Sequence, residues 1–465
     1  MRPQPRCPGR GRLTRYATFM RKFFLYVALA IAATLPGFYL RLTGTHAAPV
    51  LEAAIFFVAI LGAGFLLSWG AEAAEEHVSQ GLVIGVLALI TVLPEYAVAL
   101  YYTYQAGLHP GSAYAGFAAA NMTGANRLLI GAGWPLIVFL YWWHSGKRAV
   151  ALSWDNAAEI AYLALASLYS FVIVWKGSIG FVDFVVLVSI FAAYLWRLSK
   201  LPKADHDEAE EAESDDDEVG PAAVLATLPV RQQWLIMGGL TVVAVAVIVM
   251  AAEPFAEALL AAGRDLGVNQ FLLVQWVAPF ASEVPEVVLV VLFVLNNRPT
   301  AALGALVSDK INQWTLLVGM IPVVYALGAG HLTGFPLDAR QHEEFFLTAA
   351  QSLFAVALLL RLRLSLASAA VLLGLFSVQF ALAWVFEHDE ARSVQLLTGL
   401  GWLYLALAAG LFWWNRAGLA QYVRVGLLAR AEPGPATGPV VAPNLQQPRR
   451  PKNAGNNSGK VGLSG

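Results

Sequence analysis

The stretch APFASEVPE, residues 278–286, places two glutamates and two prolines within an otherwise apolar run. Glu283 and Glu286 are three residues apart, so they share one face if this segment is helical. Pro279 and Pro285 each leave the backbone carbonyl four residues earlier without its helical hydrogen bond. Carboxylate and carbonyl oxygens are the ligands that hard cations such as Ca²⁺ and Na⁺ prefer. The stretch therefore indicates a cation-binding segment.

A second Pro-Glu pair lies in the first half of the chain, where VLALITVLPEYAVALYY (86–102) holds Thr91 and Glu95 one helical turn apart. Each Pro-Glu segment is followed by one rich in small residues, amides and hydroxyls, YAGFAAANMTGANRLLIG (114–131) and PTAALGALVSDKINQWTLLVG (299–319). Ionisable groups in the middle of an apolar span are costly and are functional by default. The predicted cation-binding residues are Glu95, Glu286, Glu283, Asp309, Asn121, Asn126, Thr91, Ser282, Ser308, Asn312 and Gln313, with the four acids as metal ligands.

A basic residue follows the amide or the acid in each second segment, Arg127 after Asn126 and Lys310 after Asp309. If the four acids and the two bases all face one cavity in their ionised forms, two negative charges are left, which one divalent cation would balance. On this hypothesis the two bases compensate charge, and one or both stand where a monovalent ion would otherwise bind. The alternative is that they snorkel or form pairs at a helix end.

The composition indicates an integral membrane protein. Of the 465 residues, 58% are hydrophobic and 13% are charged, whereas soluble domains carry about 25% charged residues. Apolar runs of about 20 residues fit helices that cross a bilayer with their backbone hydrogen bonds satisfied internally. The predicted fold is an all-α polytopic bundle of about 12 transmembrane helices, near 23–41, 50–69, 81–104, 114–143, 157–175, 181–198, 232–251, 270–296, 299–329, 345–361, 364–386 and 394–414. The segments 114–143 and 299–329 are too long for one straight helix, so we expect a break in each or an extension past the bilayer.

The long polar interruption contains KADHDEAEEAESDDDE (203–218), with ten acidic residues in sixteen positions. It predicts a solvated linker between two halves, with a cation-sensing loop as the alternative. The Pro-Glu helices of the halves lie five spans apart, an odd number, so the two copies are inverted, as in many secondary transporters. The predicted organisation is a basic cytoplasmic tail with an extra helix (1–49), a first repeat (50–198), an acidic cytoplasmic linker (199–231), a second repeat (232–386), an extra helix (387–414) and a disordered cytoplasmic tail (415–465).

Lysines and arginines in the short loops indicate the orientation, because cytoplasmic loops carry an excess of these residues. The basic N-terminal tail, the loops at 144–148, 197–200, 296–298 and 361–363, and the C-terminal tail fall on one side of the bilayer in the twelve-span count. We therefore expect both termini in the cytoplasm, and the lack of eukaryotic processing signals favours a bacterial inner membrane. Expected partners are the lipid bilayer and inorganic cations, since a net charge of −1 argues against nucleic acid. Cys7 is the single cysteine, which excludes an internal disulfide.

The two copies resemble the alpha repeats of the calcium/cation antiporter superfamily, which includes the sodium/calcium exchangers. The resemblance implies ten helices in two inverted sets of five, with four central helices holding the ions. The superfamily repeats carry a first motif, Gly-Thr-Ser-x-Pro-Glu, on one helix and a second motif, similar to Gly-Asn-x-x-Gly-Ser-Asn, on the next. The resemblance implies that Glu95 and Glu286 take the place of the glutamates of the first motif, and Thr91 and Ser282 that of its threonines. It further implies that Asn121 is the asparagine of the second motif, while Ser308 stands at a small position of the other copy.

The sequence departs from the superfamily pattern in both copies. ITVLPE and ASEVPE replace the Gly-Thr-Ser lead of the first motif, so Val92 lacks a hydroxyl while Glu283 adds a carboxylate. GALVSDKINQW has Ala305 where the superfamily has asparagine, followed by Asp309 and Lys310. The charge count given above, which includes Glu283, Asp309 and Lys310, predicts transport of a divalent cation with less need for sodium than in ordinary exchangers.

The resemblance implies an antiporter that exchanges Ca²⁺, or another divalent cation, for Na⁺ or H⁺ by alternating access, with no cofactor besides the transported ions. A cation channel is one alternative, since acidic rings also line pores, and a transport-inactive membrane sensor is another. An enzyme is disfavoured, because His77, His109 and His144 form no metal-hydrolase spacing. No nucleotide-binding loop occurs, so an ion gradient would supply the energy. Nothing in the sequence indicates an oligomeric state.

Overall fold

The computed structural model of the chain describes residues 10–74, 92–200, 225, 228–416, 419, 422 and 424–428. Thr91 and most of the predicted linker and C-terminal tail lie outside the described residues. The helices are α1 (Arg10–Thr43), α2 (Pro49–Ala74), α3 (Leu93–Leu108), α4 (Tyr114–Leu128), α5 (Trp134–Ser145), α6 (Ala157–Lys176), α7 (Phe181–Leu198), α8 (Val230–Leu266), α9 (Gln270–Leu295), α10 (Pro299–Asn312), α11 (Val318–Ala329), α12 (Ala339–Leu359), α13 (Leu366–Val385) and α14 (Glu390–Trp414).

Ten helical segments in the described part of the chain are long and apolar enough to cross a membrane. They coincide with ten of the twelve predicted spans, which confirms a helical membrane bundle. The predicted span 345–361 corresponds to α12, whose first turns are charged, and of the predicted span 81–104 the structure describes α3. Helix α8 extends well beyond the predicted 232–251, because Pro254 lies inside it without ending it. Gly267, with a φ of 66°, ends this helix instead.

The two segments that are too long for one straight helix each contain an irregular turn. A π-helical turn at Leu129–Gly133 joins α4 to α5, and a second one at Gln313–Leu317 joins α10 to α11. Such turns are rare and occur frequently at functional sites. Each segment is continuously helical over 32 and 31 residues respectively, so the expected break is absent and a π-helical turn stands inside each long helix instead.

Two short antiparallel ladders join the predicted first repeat to the second. Strand β1 (Ala149–Ala151) pairs with β4 (Arg363–Ser365), and β2 (Ser178–Ile179) pairs with β3 (Phe335–Pro336). In each ladder one strand follows a helix of the first repeat and the other follows a helix of the second. The two copies are therefore connected by main-chain hydrogen bonds as well as by side-chain packing.

The central helices of the two copies cross with their backbones in contact. A Cβ atom on Gly124 of α4 would overlap the carbonyl oxygen of Gln275 in α9. Helices α3 and α11 meet in the same way, since a Cβ atom on Gly107 would overlap the carbonyl oxygen of Tyr325. Small residues allow membrane helices to approach this closely. Helix α9, which carries the second Pro-Glu pair, is thus in backbone contact with α4 of the first copy. Helix α3, which carries the first Pro-Glu pair, is in backbone contact with α11 of the second copy.

Gly124→Ala is expected to destabilise the protein by about 1–3 kcal/mol, because the added methyl group can be placed only if α4 and α9 move apart. The measurement is the thermal unfolding of the purified protein in detergent, followed by tryptophan fluorescence. Gly374→Ala is the matched control, since nothing lies within 4 Å of a Cβ atom at that helical position. Equal melting temperatures for Gly124→Ala and the wild type would contradict the close crossing.

Helices α1, α2 and α8 form an apolar cluster of their own beside the main core, with Val27, Ala63 and Ile248 among its buried members. Helix α2 also contacts the Pro-Glu segment of α9, where a Cβ atom on Gly64 would lie 2.7 Å from Cγ of Pro285. Other residues of these helices, such as Phe56 of α2 and Phe255 of α8, belong to the main core. The outer helices therefore share a cluster of their own and also pack against the core beside the segment carrying Glu283 and Glu286.

One part of the predicted disordered tail 415–465 is ordered. Residues Arg424–Leu428 form a π-helical turn, and Arg197 of α7 donates hydrogen bonds to the carbonyl oxygens of Val425 and Gly426, at 2.9 and 3.2 Å. The side chain of Tyr422 contacts the ring of Trp154. A buried guanidinium that needs acceptors explains why this segment, at least, is held against the helices.

Candidate cation-binding site

Gln313 joins acids of the two copies. Its Nε2 donates to Oε2 of Glu95 at 3.0 Å and to Oε1 of Glu283 at 2.7 Å. Glu95 lies in the first turn of α3, Glu283 in the middle of α9, and Gln313 at the start of the second π-helical turn. All three side chains are buried. The irregular turn thus positions an amide between the two Pro-Glu helices, and the predicted convergence of the acids is present in the structure.

Two more acids, Glu286 and Asp309, lie close to Glu283. Oxygen atoms of Glu283, Glu286 and Asp309 all lie within 4.8 Å of one another, with Glu283 buried and the other two half-buried. The first two come from one face of α9, as their spacing predicts, and Asp309 comes from α10. Carboxylates this close repel one another unless a cation or a proton lies between them. We refer to Glu95, Glu283, Glu286 and Asp309 as the acid cluster.

Several buried oxygen atoms of this region lack a hydrogen-bond donor among the described residues. They are Oε1 of Glu95, Oε2 of Glu283, Oδ2 of Asp309 and Oε1 of Gln313. A buried polar atom without a partner costs free energy, so such atoms are uncommon unless a ligand serves them. An all-oxygen set that includes several carboxylates is what Ca²⁺ prefers. The arrangement is therefore suited to a hard divalent cation.

The predicted amide and hydroxyl ligands have different surroundings in the structure. Asn312 lies beside the acid cluster, where its Oδ1 accepts a hydrogen bond of 3.0 Å from the hydroxyl of Tyr96, next to Glu95. Asn121 is buried, and its Nδ2 has no partner among the described residues. In contrast, the Ser308 hydroxyl is hydrogen-bonded to Tyr194 of α7 at 2.7 Å.

Ser282 also differs from its predicted role. Its hydroxyl donates to the carbonyl oxygen of Pro279 in the same helix, at 3.0 Å, because serines in helices often bond back to the preceding turn. Within the described residues, no hydrogen bond connects Ser282 or Ser308 to the acid cluster. Thr91, the other predicted hydroxyl ligand, lies outside the described residues.

Lys310 connects the second copy to the first. Its Nζ donates to the carbonyl oxygen of Asn126 at 2.9 Å and to the side-chain Oδ1 of the same residue at 2.5 Å. Asn126 is therefore a ligand of an ammonium group in this structure, rather than a member of the acid cluster. The side chain of Lys310 is fully buried, so snorkelling to a helix end does not describe it.

The predicted charge count of the cation site is wrong in its placement of Arg127. The Arg127 guanidinium forms a buried ion pair with Glu344 of α12 and does not face the acid cluster. Consecutive residues point about 100° apart around a helix, so Arg127 cannot follow Asn126 towards Lys310. With Arg127 neutralised elsewhere, the ionised acid cluster and Lys310 leave three negative charges instead of two. That charge fits one divalent cation together with one proton.

The partners of Arg127 form a second buried polar centre that the sequence analysis missed. Glu344 accepts hydrogen bonds from Gln275 of α9 at 2.7 Å and from Thr123 of α4 at 3.3 Å, and Arg340 lies 3.0 Å from its other oxygen. The predicted span begins at 345, so Glu343 and Glu344 fall outside it. The Arg-x-x-x-Glu spacing of Arg340 and Glu344 was the available signal for a helical ion pair.

The family model described as "Sodium/calcium exchanger protein" matches residues 48–200 and 237–385. Comparison with curated proteins gave no match. Among solved structures, a sodium-calcium exchanger, NCX_Mj, is 17% identical, with a TM-score of 0.46, and the match covers 71% of this chain and 96% of that one.

A second solved structure is more similar. It is described as the crystal structure of the H⁺/Ca²⁺ exchanger CAX, with 37% sequence identity and a TM-score of 0.80. The match covers 88% of this chain and 99% of that chain. The family match extends over both copies of the Pro-Glu motif. The match to the H⁺/Ca²⁺ exchanger covers nearly the whole length of that protein. The chain therefore belongs to the sodium/calcium exchanger protein family.

Proposed function

We propose that this membrane protein is an antiporter that exchanges Ca²⁺ for H⁺ by alternating access. The observation that carries the proposal is the acid cluster, in which carboxylates from both copies converge and keep oxygen atoms without donors. The identity of 37% to an H⁺/Ca²⁺ exchanger supports the choice of ions. The bilayer of a bacterial inner membrane, with both termini in the cytoplasm, remains the proposed location.

The chemistry of the cluster supports coupling between Ca²⁺ and protons. Carboxylate oxygens bind either a hard cation or protons, and Glu283, Glu286 and Asp309 are too close to stay ionised without one or the other. Ca²⁺ entry would therefore displace protons, and protons that enter from the other side would displace Ca²⁺. Competition for the same oxygens is sufficient for exchange, without a separate proton site.

The packing supports a mechanism in which the outer helices move past the core. Helices α1, α2 and α8 pack largely on one another, and Gly64 of α2 covers Pro285 between the two acids of α9. A shift of α2 along α9 would expose a different side of the cluster, which is the alternating access of inverted-repeat transporters. The ladders β1–β4 and β2–β3 would keep the central helices together during that shift.

The proposal is tested by uptake of labelled Ca²⁺ into proteoliposomes. With an acidic interior and a neutral exterior, Ca²⁺ is expected to accumulate inside while protons leave, and a protonophore with valinomycin and K⁺ should abolish the accumulation. An outward Na⁺ gradient in the absence of a pH gradient should drive little uptake, because no second monovalent-cation site is part of the proposal.

Three outcomes would overturn it. Uptake that requires a Na⁺ gradient would identify a sodium/calcium exchanger instead, and the family makes this the second candidate. Flux at channel rates that a pH gradient cannot drive uphill would indicate a channel. Binding of labelled Ca²⁺ with no flux under any gradient would indicate a sensor.

A further inference from the structure

The ammonium group of Lys310 is held in a setting that resembles the coordination of a metal ion. It lies on α10 of the second copy, yet both oxygens that accept its hydrogen bonds belong to Asn126 of the first copy. Its Nζ also lies 5.2 Å from the centre of the Trp314 ring. Carbonyl oxygens, amide oxygens and aromatic faces all attract cations. The group is thus enclosed by a cation-binding environment built from both copies.

Lys310 leaves the carboxylates of the acid cluster free. Within the described part of the chain, no carboxylate lies within 4.0 Å of its Nζ. Its neighbour Asp309 faces Glu283 and Glu286 instead, since consecutive helical residues point in different directions. The ammonium group therefore adds a positive charge beside the cluster without using the oxygens that would coordinate Ca²⁺.

We infer that Lys310, in its ammonium form, is a tethered cation that fills one monovalent-cation position of the transport centre. The inference rests on the proposed function, because it names a counter-ion that the centre has no need to bind. The two oxygens of Asn126 are hard ligands of the kind that Na⁺ accepts. Since the ammonium is bonded to the chain, it stays with the protein, and Ca²⁺ is exchanged without Na⁺.

Arg127 does not share this role. Glu344 neutralises its guanidinium, and its Nε donates to the carbonyl oxygen of Thr123 in its own helix. The two basic residues that occupy related places in the sequence therefore act differently. Lys310 determines which ions the centre takes up, whereas Arg127 belongs to a structural ion pair.

The test is to remove the tethered charge and ask whether a free cation replaces it. Lys310→Ala, purified in detergent, is expected to bind labelled Na⁺ in the presence of Ca²⁺, whereas the wild type binds none. In proteoliposomes, replacing choline with Na⁺ should raise Ca²⁺ flux of this variant at least about tenfold, because Na⁺ satisfies the oxygens that the ammonium left. The Ca²⁺ gradient reached at equilibrium should then depend on the Na⁺ gradient, unlike that of the wild type.

Matched variants separate charge from shape. Lys310→Arg keeps a positive charge and should show no stimulation by Na⁺, and Lys147→Met, which removes an exposed lysine beside Tyr141, should behave as the wild type. Lys310→Met replaces the alanine variant if the latter does not purify as a single species.

The inference is overturned if the alanine or methionine variant binds labelled Ca²⁺ but no Na⁺, with a flux that is indifferent to Na⁺. The Na⁺-binding comparison uses no pH gradient, so it still tests Lys310 if the wild type fails the proton-driven uptake on which the proposed function depends.

Discussion

Glu283→Gln is expected to abolish Ca²⁺ transport while the protein still folds. The glutamine can still accept the hydrogen bond from Gln313 that Glu283 accepts at 2.7 Å. It removes one of the three carboxylates that lie within 4.8 Å of one another, and with it one charged ligand of the proposed site. Loss of one partner of a buried charge pair costs about 3 kcal/mol or more, which is more than ~100-fold in the Kd for Ca²⁺.

The measurement is labelled Ca²⁺ binding in detergent together with proton-driven uptake, for this variant and for Glu95→Gln and Glu286→Gln. Glu390→Gln is the matched control, because this exposed acid in the first turn of α14 is remote from the cluster in sequence and lies outside the core. Transport by Glu283→Gln at the wild-type rate and affinity would show that this carboxylate binds no transported cation.

Glu344→Met is expected to be the most destabilising substitution in the second buried centre. It leaves the buried guanidinium group of Arg127 without a carboxylate, and leaves Arg340 with Glu343 alone, at 3.9 Å. Breaking a buried pair by removing one partner typically costs about 3–5 kcal/mol, since an uncompensated charge is left in the interior. Arg127→Met should cost less, because Glu344 then keeps Arg340 at 3.0 Å and the amide of Gln275 at 2.7 Å. Thermal unfolding in detergent gives the order of the two variants.

The double variant Arg127→Met with Glu344→Met provides the decisive comparison. Apolar residues of similar volume often replace a buried ion pair with little loss, so the double variant should be more stable than Glu344→Met alone. Glu390→Gln is the control here as well, because this exposed acid in the first turn of α14 lies outside the buried centre. If Glu344→Met melts at the wild-type temperature, the ion pair has no structural role.

Much of the cation site could be predicted from local sequence. The helical spacing of Glu283 and Glu286 fixed their common face, and the repeat of the Pro-Glu pattern indicated that Glu95 would meet them. Gln313 was predicted as a ligand because it follows a run of polar residues in an apolar span. Its role as a bridge depends on the π-helical turn that begins at this residue. The length of the segment 299–329 predicts an irregularity, but it does not say at which residue.

The partners of the two basic residues could not be predicted, because they depend on packing between distant helices. Asn126 and Arg127 are adjacent, yet Asn126 accepts a hydrogen bond from the ammonium group of Lys310, whereas Arg127 pairs with Glu344. Glu344 lies more than 200 residues away from Arg127 in the sequence. Which of two neighbouring side chains faces which helix is set by the crossing of α4 with α9 and α12. Because sequence alone does not give these directions, the predicted charge count includes both Arg127 and Lys310, although only Lys310 lies beside the acid cluster.

The two β-ladders mean that the halves of the molecule do not rely on the covalent connection between them. Strands β1 and β4 follow α5 and α12, and strands β2 and β3 follow α6 and α11. The halves are therefore paired by main-chain hydrogen bonds at two separate points. A motion that separated these four helices would have to break main-chain hydrogen bonds at both points, which favours motions in which they stay together.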